Sequence, residues 1–206
     1  MKKICVVGGG YWGKNHIKTL YDIDCLGGIV ETDSILRKKY NNLYPEINFY
    51  DKIEKSLDDD SCSGYVVATP ASTHYEIAKL ILHSNKHLLI EKPFTLDVSH
   101  AEELVTLSKK KKVNLMVGHL LLFHPAILKI KEMVLDGKIG KLKYIYSNRL
   151  NFGKVRDNEN VFWSLAPHDI SLFQFFTDSF PISIDFKGSD FLNNDISWYL
   201  LTISDL

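Results

Sequence analysis

The sequence is poor in the features that mark several large classes of protein. Its three cysteines, Cys5, Cys25 and Cys62, are scattered and form no CxxC pair, so we predict reduced packing residues rather than a disulfide framework. The 25 Lys and Arg residues balance the 25 Asp and Glu residues, which leaves no strong positive field for nucleic acid or anionic lipid. No uncharged apolar run approaches the roughly 18 residues of a membrane span. The N-terminus lacks the apolar region of a signal peptide, and we therefore predict a cytoplasmic protein.

Apolar periodicity alternates between strand and helix along residues 1–118, and hydrophobic residues make up 45% of the chain, enough for a sizeable core. Such alternation is typical of an α/β fold with a doubly wound parallel sheet, which predicts a Rossmann domain here. Asp33 or Ser34 is expected to cap its second helix. The predicted strands are short apolar runs at 3–7, 26–30, 47–50, 65–68, 88–90 and 114–117.

The pattern changes after residue 118. Period-two alternation between apolar and polar residues is typical of an antiparallel sheet with one solvated face. We therefore predict a second, α+β domain over 119–206 with an open, mainly antiparallel sheet. Because few strands remain to complete that sheet, we expect this domain to be incomplete. Its predicted helices lie at 125–136 and 167–177, and its predicted strands at 142–151, 182–186 and 198–203.

A glycine-rich turn joins the first predicted strand to the first predicted helix. Its sequence, GGGYWG, satisfies the pattern G-x-G-x-x-G. In that pattern the first glycine permits the turn, the second lets the backbone approach a pyrophosphate, and the third allows close packing of helix on strand. The helix N-terminus would hold the phosphates. We predict dinucleotide binding here, with Gly8, Gly10, Tyr11, Trp12 and Gly13 as the candidate contacts.

An acidic residue closes the second predicted strand, about 20 residues after the turn, where the dinucleotide pattern requires one. This residue is Glu31, at the end of the run GGIVE. Its carboxylate could accept hydrogen bonds from both hydroxyls of the adenosine ribose and would repel a 2′-phosphate. We therefore predict NAD rather than NADP as the cofactor. Asp33 is the alternative acid for this position, and no arginine immediately follows either residue.

Three further segments follow predicted strands at their carboxyl ends, where a doubly wound sheet places its ligands. ATPASTH follows the fourth strand, EKP the fifth and GH the sixth. Such segments are unusual for a plain Rossmann core. The residues that they bring to this edge of the sheet are Thr69, Pro70, His74, Glu91, Lys92 and His119.

Together with APHD in the second domain, these segments resemble the glucose–fructose oxidoreductase and inositol dehydrogenase family of NAD(P)-dependent sugar oxidoreductases, and EKP is their most distinctive mark. The stretch NVFWSLAPHDIS and the turn GYWGKN are most similar to the nucleotide-sugar branch. Members of that branch oxidise C3 of a UDP-linked N-acetylated hexose or hexuronic acid in bacterial surface-polysaccharide synthesis. The resemblance thus implies a dehydrogenase that acts on a CH–OH group of a sugar or UDP-sugar and assembles as a homo-oligomer, a dimer or tetramer.

The resemblance also assigns roles to single residues. It implies that Lys92 and His168 are catalytic and that the peptide bond between Lys92 and Pro93 is cis. A buried lysine can stabilise an alkoxide as a charged donor or act as a base. His168 could remove the hydroxyl proton, since imidazole titrates near neutral pH. As candidate cofactor contacts, the resemblance places Thr69, Pro70 and His74 on the ribose and nicotinamide side and Glu91 and Lys92 beneath the reacting carbon. It also implies a cofactor contact for His119.

Ser164 departs from the family pattern, which commonly has Asp or Asn four residues before the histidine. A serine is shorter and uncharged, so it would orient substrate or His168 less firmly. The chain is also short for the family. Two alternatives to an active dehydrogenase therefore stay open: a non-catalytic dinucleotide-binding or sensor protein, and an inactive fragment of a longer dehydrogenase. No Cys or carboxylate completes a ligand set with the paired histidines at 83 and 87 or at 119 and 124, so no metal site is predicted.

Overall fold

A computed structural model of the chain describes residues 2–149, 161–189 and 198–204. The chain separates into two compact units, Met1–Gly118 and His119–Leu206. The first unit is built on a six-stranded sheet in the order β3-β2-β1-β4-β5-β6, in which every pairing is parallel. The predicted doubly wound Rossmann sheet is confirmed. Strand order reverses between β1 and β4, and a ligand crevice forms at the carboxyl ends of the strands on either side of such a point.

The strands of the first unit follow the predicted apolar runs to within a residue or two. They are β1 (Ile4–Val7), β2 (Leu26–Val30), β3 (Asn48–Tyr50), β4 (Gly64–Val67), β5 (His87–Ile90) and β6 (Leu115–Val117). The helices are α1 (Gly13–Asp22), α2 (Ser34–Leu43), α3 (Ile53–Asp58), α4 (His74–His83) and α5 (Val98–Lys111). The short helix α3 was not among the predicted elements, because six residues are too few to establish a helical period.

The core of the first unit has two layers, one on each face of the sheet. Successive residues of β1 enter different layers, since side chains alternate along a strand. Cys5 and Val7 pack with Tyr65 in one layer, and Val6 packs with Ile17 in the other. All three cysteines of the chain are free, as predicted for packing residues. Hydrogen bonding with the neighbouring Cys62 thiol, together with burial, raises the pKa of Cys5 well above its usual range.

The second unit contains two helices and an antiparallel pair of strands among its described residues. A 3-10 turn at Leu120–Phe123 leads into the first helix. The pairing confirms the predicted antiparallel sheet, with strands close to the expected 182–186 and 198–203. Within the part of the chain that the structure describes, no helix has both the length and the hydropathy to cross a bilayer. The elements are α6 (Pro125–Leu135), α7 (Val161–Thr177), β7 (Ser183–Ser189) and β8 (Trp198–Ser204).

The strand predicted over 142–151 is wrong for its described part, because residues 142–149 belong to neither sheet. Alternation shows which side chains are apolar, but a strand also needs a neighbour for its backbone groups. Tyr144 and Tyr146 of this segment are largely exposed, and the segment is held instead by the side chains of Ser147 and Arg149. Residues 150 and 151 lie outside the described residues.

The second predicted helix of this unit begins earlier than expected. Helix α7 starts at Val161, so Pro167 lies inside it and does not begin it. Proline removes one N–H from the helical ladder, and the residues on either side of it remain helical here. One consequence is that Ser164 and His168 share a helix face, since they are four residues apart on α7.

Candidate functional site

The glycine turn between β1 and α1 has the geometry that the dinucleotide pattern requires. Gly8 has a φ of +89°, in the left-handed region that favours glycine. A Cβ on Gly13 would lie 1.8 Å from the carbonyl oxygen of Gly8, so only glycine lets α1 pack this closely on the turn. A Cβ on Gly10 would meet nothing within 4 Å. The turn therefore leaves open space at Gly10, where the backbone would approach a pyrophosphate.

The N-terminus of α1 is well suited to an anion. Trp12 stands at the N-cap position and makes no side-chain capping bond, and the N–H groups of Lys14 and Asn15 donate to the carbonyl oxygens of Gly10 and Trp12. The positive end of the helix dipole lies at this turn. Tyr11 and Trp12 are 74% and 37% exposed, and their rings meet edge to face with centroids 6.2 Å apart. The Lys14 ammonium lies 4.9 Å from the Tyr11 ring centroid. Two exposed aromatic rings and a cation thus flank the open turn.

Glu31, at the end of β2, is joined to the glycine turn. Its Oε2 atom accepts a hydrogen bond of 2.7 Å from the Gly9 N–H, and its Oε1 atom accepts one of 2.9 Å from the Asp33 N–H. The Asp33 carboxylate has a different task, because it accepts the N–H groups of Ile35 and Leu36 and so caps α2. Of the two acids left open by the sequence, Glu31 is the one at the turn and Asp33 is the predicted cap.

Two further residues at this end of the site were missed by sequence reasoning. The Tyr40 hydroxyl donates a bond of 2.6 Å to the Gly9 carbonyl, so the Gly9 residue is held at both its N–H and its C=O. Burial raises the pKa of the Tyr40 phenol, which keeps this donor protonated. The Arg37 guanidinium donates to the carbonyl of Glu31 at 2.5 Å. Tyr40 lies on the apolar face of α2, where its sequence signal resembles that of any core aromatic residue.

The segment after β4 has two residues beside the glycine turn, Thr69 and Pro70, and a buried histidine, His74. Thr69 lies beside the turn, since a Cβ on Gly8 would come within 2.9 Å of its methyl group, and Pro70 is exposed next to it. His74 is only 1% exposed. Its Nε2 atom lies 2.9 Å from the Thr69 carbonyl oxygen and its Nδ1 atom lies 2.8 Å from the carbonyl oxygen of Pro93. The side chain bridges two backbone segments, and its contact with the cofactor stays a prediction.

The EKP segment after β5 combines a buried acid with a half-buried lysine. Glu91 is 7% exposed, and its Oε1 atom lies 2.7 Å from Nε2 of His16 on α1. A Cβ on Gly118, after β6, would come within 3.2 Å of the same carboxylate. Lys92 is half-buried, and the peptide bond between Lys92 and Pro93 is cis, as the family resemblance implies.

The remaining candidates belong to the second unit. His168 lies on α7, and its neighbour Asp169 is 9% exposed. Asp169 accepts bonds of 2.8 Å from Ser147 Oγ and 2.7 Å from Arg149 Nε, so its carboxylate is committed to the segment 142–149. His119 opens the second unit and lines a groove of about 380 Å³ between the 3-10 turn and the C-terminal half of α7. In the described residues, no three His, Cys, Asp or Glu side chains gather as a metal site would require.

The structure thus brings most of the first unit's candidates together at the carboxyl ends of its strands. Glu31 is joined to the glycine turn, Thr69 contacts it, and His74 ties Thr69 to the EKP segment. The open space at Gly10, the uncapped helix and the anchored acid fit a dinucleotide. His119 and His168 lie in the other unit.

Comparison with known proteins agrees with this geometry. Residues 2–119 match the model of the GFO/IDH/MocA oxidoreductase family, described as an NAD-binding Rossmann fold. The UDP-N-acetylglucosamine 3-dehydrogenase of Acidithiobacillus ferrooxidans is 27% identical over 189 residues, which cover 89% of this chain and 56% of that protein. The inositol 2-dehydrogenase of Rhizobium meliloti is 24% identical over 144 residues, 68% of this chain and 43% of that protein. The chain therefore spans about half the length of these curated relatives.

Solved structures show the same fold. GenD2 from gentamicin A biosynthesis, in complex with NAD, aligns with a TM-score of 0.85 at 19% identity and covers 98% of this chain and 62% of that one. The UDP-N-acetylglucosamine 3-dehydrogenase GnnA of Acidithiobacillus ferrooxidans aligns with a TM-score of 0.86 at 24% identity and covers 98% and 65%. The family match confirms the predicted fold and the predicted cofactor, NAD. The chain belongs to the GFO/IDH/MocA family of NAD-binding oxidoreductases.

Proposed function

We propose that this chain carries the NAD site and the catalytic residues of a dehydrogenase that oxidises the secondary hydroxyl group on C3 of a nucleotide sugar. The observation that carries the proposal is the joining of the dinucleotide turn to the EKP segment, through His74 and through the contact of Thr69 with Gly8. The similarity to a UDP-N-acetylglucosamine 3-dehydrogenase over 89% of the chain supports the substrate class. A cytoplasmic homo-oligomer with a role in surface-polysaccharide synthesis is part of the same proposal.

The pyrophosphate and the adenosine ribose of NAD would be held by residues of the first unit. The uncapped N-terminus of α1 and the open backbone at Gly10 would bind the pyrophosphate, with Tyr11 and Trp12 beside it. The Glu31 carboxylate would accept the ribose hydroxyls, which favours NAD over NADP. When bound, NAD supplies the acceptor for a hydride. The contacts proposed on the nicotinamide side are Thr69, Pro70, Glu91, Lys92 and His119.

The chemistry left to the protein is proton transfer and charge stabilisation. Lys92 would donate a hydrogen bond from its ammonium to the substrate oxygen and so stabilise negative charge that develops there. His168 would accept the hydroxyl proton at a ring nitrogen. A non-catalytic dinucleotide-binding protein is the second candidate. It is favoured by Ser164, which shares a helix face with His168 and offers neither the charge nor the reach of the Asp or Asn that the family commonly has.

The proposal is tested by NADH titration and by NAD reduction with UDP-N-acetylglucosamine, its uronate and myo-inositol. We expect a rise in absorbance of the reduced nicotinamide with a UDP-sugar. Lys92→Ala and His168→Ala should each keep NADH affinity and lose turnover by about 100-fold, the usual scale for acid–base and electrostatic groups. Exposed residues provide matched controls, Lys55→Ala and His83→Ala, which should change neither quantity.

Each result decides between the candidates. Tight NADH binding without reduction by any of these substrates would favour the non-catalytic protein. Near-normal turnover in Lys92→Ala or in His168→Ala would show that the catalytic assignment of that residue is wrong.

A further inference from the structure

Lys92 stands between two residues that histidines from other elements hold in place. On one side, the Glu91 carboxylate lies 2.7 Å from Nε2 of His16 on α1. On the other side, the Pro93 carbonyl oxygen lies 2.8 Å from Nδ1 of His74 on α4. The sequence separations are 75 and 19 residues, so neither contact is a product of local chain geometry.

One partner of each histidine contact is buried, which makes these contacts stronger than contacts at the surface. Glu91 is 7% exposed and His74 is 1% exposed. An ionised carboxylate only accepts, so Nε2 of His16 is the donor in the first contact. Hydrogen bonds to a charged partner are roughly twice as strong as neutral ones, and loss of one partner leaves the buried group unsatisfied. Gly118 adds to the confinement, because a Cβ there would come within 3.2 Å of the Glu91 carboxylate.

Stability alone does not account for this arrangement. A buried polar pair is often replaced by apolar residues of similar volume with no loss of stability. Core packing therefore does not require imidazole rings at these two positions. What the rings share is their target, since one holds the residue before Lys92 and the other holds the residue after it. His74 in addition ties this segment to Thr69 beside the glycine turn.

We infer that His16 and His74 are positioning residues, which fix Glu91 and Pro93 and thereby hold the Lys92 side chain at the reacting end of the NAD site. This inference rests on the proposed function, because it takes Lys92 as the catalytic lysine. Neither histidine contacts the substrate in this scheme. They limit the backbone freedom of the EKP segment, and a side chain displaced by a fraction of an ångström loses much of its effect on a reaction.

The test measures the placement of Lys92 without a substrate. The full chain is treated with a limiting amount of acetic anhydride, with and without saturating NADH, and acetylation of each lysine is followed by mass spectrometry. In the unaltered chain NADH should slow acetylation of Lys92 by about tenfold, since the bound dinucleotide covers it in most molecules. The exposed Lys55 should show no protection.

In His16→Leu and His74→Leu we expect this protection of Lys92 to fall by about tenfold, the scale of one lost charge-assisted or buried hydrogen bond, while NADH still binds. His16→Gln and His74→Gln keep an N–H donor and should restore much of the protection. If His16→Leu does not fold, Glu91→Gln tests the same contact from the other partner, because it keeps the shape and weakens the bond. His83→Leu, at an exposed histidine, should behave like the unaltered chain.

Two results would overturn the inference in distinguishable ways. Full protection of Lys92 in the folded His16 and His74 variants would remove the positioning role and leave the proposed function intact. Absence of protection in the unaltered chain, despite NADH binding, would show that Lys92 does not lie at the dinucleotide, and both proposals would fall together.

Discussion

The two units of this chain differ sharply in how much apolar surface they bury. Among the described residues, every buried hydrophobic side chain except Ala166 belongs to the first unit. All four residues of β4 are buried there, whereas all seven residues of β7 in the second unit are exposed. A parallel strand in the middle of a sheet is covered on both faces, but a two-stranded ribbon is marginal on its own. The first unit therefore satisfies its own core, and the described part of the second does not.

The candidate functional residues of the two units are held in place by different contacts. The dinucleotide turn, Glu31 and the EKP segment are held by contacts within the first unit. The position of His168 is set by helix α7. Among the described residues, this helix is held by the contacts of Asp169 with Ser147 and Arg149 and by the packing of Phe162 on Phe186. We therefore expect changes in the first unit to alter cofactor binding or stability, and changes on β7 to alter association.

The largest effect on stability should come from a change in the glycine turn. Gly13→Ala places a Cβ 1.8 Å from the Gly8 carbonyl oxygen, and the required shift of α1 should lower the free energy of unfolding by about 1–3 kcal/mol. Gly10→Ala is the matched control, because its Cβ meets no atom within 4 Å. It should leave stability nearly unchanged and weaken NADH binding. Urea unfolding and calorimetric titration measure the two effects, and equal stability of both variants would contradict this account of the turn.

Cofactor choice should depend on Glu31. A carboxylate near a 2′-phosphate costs up to about 4 kcal/mol at an effective dielectric constant of 20, less after screening by salt. We expect NADH to bind at least about tenfold more tightly than NADPH, and Glu31→Ala to abolish or reverse that preference, since it removes the carboxylate that repels the 2′-phosphate.

Asp33→Asn tests the other acid, because it removes a charge two residues away and keeps a side chain able to cap α2. This variant should keep the preference for NADH. Identical titration curves for NADH and NADPH in the unaltered chain would rule out the role of Glu31.

The smallest expected effect concerns the second unit. Ile184 and Phe186 lie on one face of β7 and are 61% and 40% exposed, and Leu201 on β8 pairs with Phe186. We expect the chain to associate with a second copy at micromolar concentration, since such surfaces favour contact. Ile184→Lys should weaken that association by about tenfold, whereas Asp185→Ser, on the opposite face, should not. Light scattering measures the association of the chain, and a monomer with a sharp unfolding transition would contradict the expectation.

Much of the fold and part of the site could be predicted because their signals are local. The apolar runs of β1 and β4, the glycine spacing and the acid at the end of β2 can each be recognised within a short stretch of sequence. The prediction from apolar alternation failed over residues 142–149. Alternation predicts a strand there, but these residues pair with neither sheet. It also gave no sign that His74 bridges Pro93 and Thr69, because that arrangement forms only in the folded chain.

The sequence by itself determined the Rossmann architecture and the dinucleotide turn, because hydrophobic period and glycine spacing act through neighbouring residues. Only the tertiary structure decided how those residues are held. The contact of His16 with Glu91 and that of Tyr40 with Gly9 join residues 75 and 31 positions apart. No periodicity encodes such pairs, since each forms only after the helices have packed on the sheet and brought its two partners within hydrogen-bond distance.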